Sequence, residues 1–178
     1  MNRTITRSYD TYEDAAGVVS RLKDAGVADE DMSVVGRRDE ADDSNAGEGA
    51  SIGAGIGGAA GLLAGLGMIA IPGIGPVVAA GWLAATAAGA AAGAAAGGLV
   101  GAMTSSGMSE DDAHYYAETV RRGATVVSVQ ASDDQVPTVE SIMDGATPID
   151  PVARREEYRR EGWTRFDESA DPYKYPGV

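Results

Sequence analysis

A stretch of 61 residues without a charged side chain or a histidine, from 49 to 109, most constrains how this 178-residue chain can fold. It consists mostly of Ala, Gly, Leu, Ile and Val. A glycine inside a helix costs about 1 kcal/mol relative to alanine, so repeated glycines at helical spacing need a compensating gain. Two arrays have this spacing: Gly53, Gly57, Gly61 and Gly65, and then Gly89, Gly93, Gly97 and Gly101.

Glycines four residues apart lie along one face of a helix and let two backbones approach closely. The arrays therefore predict helix-packing and assembly surfaces. The sequence between them, IPGIGP, is typical of a turn. We expect residues 50–104 to form a glycine-zipper helical hairpin whose turn contains Pro72, Gly73, Gly75 and Pro76.

Two surroundings suit such a hairpin. Each helix is long enough to cross a hydrocarbon layer of about 30 Å, and an uncharged hairpin fits a lipid bilayer. Arg37, Arg38, Arg121 and Arg122 flank the stretch, which predicts that the charged domain and both termini lie in the cytoplasm. The alternative is a cytoplasmic assembly, a ring or filament with the hairpin buried between subunits. In either case the small-residue surface predicts a homo-oligomer or filament.

The first part of the chain, residues 1–36, has the pattern of a strand, a helix and a second strand. An acidic linker without periodicity, residues 37–49, follows it. The predicted elements are a strand at 3–10, a helix that begins at a cap on Asp10 or Thr11 and ends at Gly26, and a strand at 31–36.

Residues 109–150 contain the second half of the same domain. Without their first helix, the predicted order is βαββαβ, the ferredoxin-like sandwich, interrupted between strands 2 and 3 by the hairpin. The sequence thus predicts an α+β fold. The predicted elements are a helix capped by Ser109 and ended by Gly123, a strand at 124–131, a helix with Pro137 in its first turn and Gly145 at its end, and a short strand at 146–150.

The C-terminal part, residues 151–178, combines a short charged helix from Pro151 to Gly162 with half of the aromatic residues of the chain. These side chains either dock on their own domain or grip a neighbouring subunit. The predicted contact residues are Tyr158, Trp163, Phe166, Tyr173 and Tyr175.

Few residues suit catalysis or cofactor binding. The net charge of −13 opposes nucleic-acid binding, and the chain has no cysteine. His114 is the only histidine, and its position beside an apolar stripe predicts a solvated surface residue. The G-x-G-x-x-G match at 53–58 follows an acidic linker rather than a strand, which argues against a dinucleotide site. We expect no catalytic, metal or cofactor site, no enzyme activity and no small-molecule substrate.

Several segments together resemble the bacterial general stress protein family of YflT type, also described as heat- or low-temperature-induced stress proteins. They are AAGVVSRLKDAGVADEDMSVVG, IPGIGPVVAAG, YYAETVRRGATVVSVQA and the C-terminal RREEYRREGWTRF. The resemblance implies a stress-associated, non-enzymatic protein. Our leading hypothesis is a structural protein that self-associates, anchors to a membrane, or does both. The alternatives are the soluble assembly and a ferredoxin-like module that senses a ligand or partner.

Overall fold

The computed structural model describes residues 2–37, 67–71, 73–86, 98–171 and 173. Its strands are β1 (Asn2–Tyr9), β2 (Met32–Arg37), β3 (Gly67–Ile71), β4 (Gly75–Gly81) and β5 (Thr125–Ser132). Its helices are α1 (Tyr12–Asp24), α2 (Gly98–Ser105), α3 (Glu110–Arg121), α4 (Val136–Asp144) and α5 (Pro151–Arg160). A 3₁₀ turn lies at Asp29–Asp31, and residues 82–86 are helical.

Local signals set the helix ends. Thr11 caps α1 by accepting from the backbone N–H of Asp14, and Ser109 caps α3 by accepting from that of Asp112. Gly26 and Gly123, which follow these helices, have φ values of +89° and +97°. Such left-handed residues end a helix without the steric cost that a side chain would add.

The strands form one antiparallel sheet in the order β1-β5-β2-β4-β3. An antiparallel sheet combined with helices confirms the α+β class, and the helices cover both faces of the sheet. Side chains alternate between the faces, so Val34 and Val127 contact the layer of α1 and α4. Val35 and Val126 contact the opposite layer of α2 and α3.

The helical hairpin expected over 50–104 is wrong for residues 67–71 and 75–81, which form β3 and β4. The turn between them brings the Ile74 N–H to the Ile71 carbonyl at 3.0 Å. A sheet covered on both faces buries both sides of a strand, so β4 has apolar residues at successive positions rather than alternate ones. Such a run cannot be distinguished from a buried helix by periodicity, and the neighbouring β2 supplies the strand partner.

The short strand expected at 146–150 is also absent among the described elements. This segment instead lies beside β1 and makes a backbone hydrogen bond to it, from the Ile149 N–H to the Ser8 carbonyl at 2.8 Å. The preceding Thr147 has a φ of +55°. This is not the extended conformation of a strand.

Candidate functional site

The last turn of α3 contains a buried carboxylate between two arginines. Glu118 is 1% exposed, and its carboxylate lies 3.2 Å from Arg121 Nη1 and 2.7 Å from Arg122 Nε. Residues three and four apart share one side of a helix, so the sequence spacing creates this arrangement. Burying a carboxylate is costly unless it is paired and hydrogen-bonded, and both conditions hold here.

The C-terminal segment, residues 151–171 and 173, covers these arginines with aromatic rings. The Arg122 guanidinium lies 4.1 Å from the ring centre of Tyr158 and 4.9 Å from that of Tyr173. Arg122 also pairs with Glu161. Burial alone lowers the pKa of Arg122, but hydrogen bonds to Glu161 and Glu118 outweigh it and raise the pKa above its usual value. The arginine therefore stays charged and forms cation–π contacts.

Arg121 connects the C-terminal segment to the β3–β4 turn. Its Nε donates to the Gly73 carbonyl at 3.0 Å, and its Nη2 donates to the Asp171 carbonyl at 2.8 Å. Gly73 has a φ of +77°, and a Cβ there would lie 2.6 Å from the Asp167 carbonyl oxygen. The segment thus passes directly over the turn, at a point where only glycine fits.

Four of the five predicted aromatic contact residues lie in the described part, where they contact their own domain. Tyr158 is 3% exposed, and Phe166 is 4% exposed and belongs to the apolar cluster of the α2 and α3 face. Trp163 packs edge-on against Tyr158, with ring centres 6.0 Å apart, and Tyr173 contacts Arg121 and Arg122. Tyr175 lies outside the described residues. In the described part of the chain, these four aromatic side chains thus contact their own domain.

His114 differs from the solvated surface residue expected from the sequence. Its side chain is only 12% exposed, and its Nε2 accepts a hydrogen bond from Arg165 Nε at 2.9 Å. The C-terminal segment covers the His114 side chain. The sequence pattern of α3 could not predict this burial, because Arg165 is 51 residues away in the chain.

The predicted assembly glycines fall mainly outside the described residues. Gly101 lies in α2 and is partly buried. Among the predicted turn residues, Gly73 and Gly75 have φ values of +77° and +96°, Pro76 is in β4, and Pro72 is outside the described residues. Also outside them are Gly53, Gly57, Gly61, Gly65, Gly89, Gly93 and Gly97.

No group of three or more His, Cys, Asp or Glu side chains in the described part of the chain could hold a metal ion. None of the helices that the structure describes is both long and apolar enough to cross a bilayer. The ion pairs and cation–π contacts of α3 hold the C-terminal segment and the β3–β4 turn against this helix.

Sequence reasoning missed Glu118, Arg121 and Arg122 as a site. Their only sequence signal is a glutamate followed three and four residues later by arginines, a pattern that exposed helices also contain. Comparison with protein-family models, curated proteins and solved structures finds no significant match for this chain.

Proposed function

We propose that this protein is a non-enzymatic structural protein that self-associates through its small-residue runs, residues 49–66 and 87–97. The runs contain seven of the eight glycines of the two arrays and no charged side chain. One observation carries the proposal: the α+β domain takes up the rest of the charge-free stretch and closes its own core. The described residues cover both faces of the sheet with their own helices, and we propose that the runs supply the contacts between copies.

The fold that we propose for this domain is a ferredoxin-like sandwich with two additional strands. The order β1-β5-β2, with α1 and α4 on one face, supports this topology. The hydrogen bond between Ile149 and Ser8 supports it further, because it lies at the edge where the fourth strand of such a sandwich would pair. The extra strands β3 and β4 extend the opposite edge.

The position of the β3–β4 turn favours an assembly through protein contacts over a hairpin in a membrane. A hairpin crossing a bilayer twice would have Gly73 near its tip, whereas here Arg121 and the C-terminal segment hold Gly73 against the domain. We therefore propose an assembly of protein alone, in the stress-associated setting that the family resemblance implies.

Light scattering on the full chain in detergent-free buffer tests the proposal. We expect an assembled mass for the wild type and a smaller mass for Gly61→Leu and Gly93→Leu, because leucine separates closely packed backbones. Gly17→Leu is the matched control: Gly17 is on α1, where a Cβ would meet nothing within 4 Å. Circular dichroism establishes that each variant keeps the folded domain.

Two results would contradict this function. A monomeric wild type, or variants that both keep the parent's mass, would show that the small-residue runs are not the assembly surface. Carbonate extraction of cell membranes distinguishes the setting. Recovery in the membrane fraction would overturn the protein-only assembly in favour of the bilayer anchor.

A further inference from the structure

A small cavity of about 120 Å³ lies between the first turns of α3, the second half of α5 and the chain that follows α5. It is separate from the Glu118 cluster at the other end of α3. The lining residues with side-chain N–H groups are His114, Arg155, Arg159, Trp163 and Arg165. Two acidic residues, Glu110 and Asp111, complete its charged lining.

Three buried nitrogens of these lining residues have no hydrogen-bond partner among the described residues: His114 Nδ1, Arg155 Nε and Trp163 Nε1. All three are donors. The indole and guanidinium nitrogens carry hydrogen in every relevant state, and His114 Nε2 already accepts from Arg165, which leaves the imidazole proton on Nδ1. A buried donor without an acceptor costs about 1–3 kcal/mol. Three of the lining residues thus each have a buried donor that lacks an acceptor among the described residues.

The ion pairs around the cavity leave positive charge available. Arg165 pairs with Glu110 at 2.7 Å, but both side chains are about two-thirds exposed, at 65% and 66%. Such an exposed pair is worth only about 0–1 kcal/mol and is easily exchanged. Arg155 pairs with Asp112 at 2.7 Å. Arg159 makes no ion pair with any residue that the structure describes, so its guanidinium is the least committed of the three.

We propose that this cavity binds a small tetrahedral oxyanion, either inorganic phosphate or the phosphoryl group of a monoester. Its oxygens would accept from the forked guanidinium groups of Arg155 and Arg159, which suit oxyanions because they offer paired N–H groups in one plane. Arg165 exchanges Glu110 for the anion. The indole and imidazole N–H groups complete the set of donors. Three arginines thus line one cavity in a chain with a net charge of −13.

Isothermal titration calorimetry with inorganic phosphate tests this site on the full chain, with sodium chloride added to keep the ionic strength constant. We expect saturable binding to the wild type and a loss of affinity on the order of tenfold in Arg159→Gln, because one charged donor pair is removed. Arg160→Gln is the matched control, since it makes the same change one residue further along α5, outside the cavity. We expect its affinity to equal that of the wild type.

A titration with glycerol phosphate distinguishes the two sources of the anion. Tighter binding of the ester indicates a phosphoryl group carried by a larger molecule, and tighter binding of inorganic phosphate indicates the free ion. The proposal is overturned if neither binds above the chloride background, or if Arg159→Gln and Arg160→Gln bind equally well. Thermal melts establish that both variants are folded, and the assembled mass from light scattering is a separate readout.

Discussion

At the scale of single residues, Glu118 is the most deeply buried acidic side chain of α3. The acidic residues of the first turn are at least partly exposed and lie near the helix N-terminus, where negative charge is favourable. Glu118 is buried near the opposite end, where the helix dipole opposes it. Its ion pairs with Arg121 and Arg122 must therefore offset both burial and the dipole.

We predict that Glu118→Gln lowers the free energy of unfolding by about 3 kcal/mol, because removing one member of a buried ion pair leaves the others uncompensated. Urea unfolding followed by circular dichroism measures this. Glu157→Gln is the control, since Glu157 also pairs with an arginine three residues away but is 54% exposed. Its expected cost is below about 0.5 kcal/mol. Equal costs would mean that the Glu118 cluster does not form in solution.

At the scale of elements, the end of β4 determines how closely it approaches β2. Gly81 pairs with Ser33 and has a φ of +86°. A Cβ at this position would lie 2.8 Å from Ser33 Cα and would collide with the Met32 carbonyl oxygen. The pairing that adds the extra hairpin to the sheet thus depends on the absence of a side chain here.

We expect Gly81→Ala to destabilise the protein by at least about 2 kcal/mol, from the left-handed backbone together with the collision. Gly17→Ala provides the comparison, because Gly17 is inside α1 with open space around it and should gain about 0.5–1 kcal/mol. Thermal unfolding of both variants measures the difference. A Gly81→Ala protein as stable as the wild type would exclude the β2–β4 pairing.

At the scale of the whole molecule, the C-terminal segment closes the α2 and α3 face. Phe166 enters the apolar cluster there, and Arg121 ties the end of the segment to the β3–β4 turn. The C-terminal segment therefore contacts both the helical face and the β3–β4 turn, which are distant from it in sequence. We infer that the segment stabilises the added hairpin as well as the helices it touches.

Loss of the Phe166 ring should cost about 3–5 kcal/mol in Phe166→Ala, because it leaves a cavity in the core. Val152→Ala is the control on the same segment, since Val152 is 68% exposed, and it should cost less than about 0.5 kcal/mol. Urea midpoints measure both. If the two variants unfold at the same concentration, the segment does not dock on the domain in solution.

The sequence by itself determined the local features. The cap at Ser109, the stops at Gly26 and Gly123, and the strand at 124–131 were predictable, because each depends on groups within a few residues or on a run of β-branched residues. The sequence placed the first cap at Asp10 or Thr11, and the structure has it at Thr11. The α+β class followed from their order. These interactions are nearly the same in any fold that contains the same short segment.

Only the tertiary structure decided whether residues 67–81 form strands, whether Glu118 is buried, and where the aromatic residues dock. A charge-free run suits a buried helix and a strand covered on both faces equally well, and the available partner β2 decided between them. Arg121 reaches Gly73 across 48 residues and Asp171 across 50. No local pattern encodes such a contact, because it exists only once the fold has brought the β3–β4 turn and the C-terminal segment to the same helix.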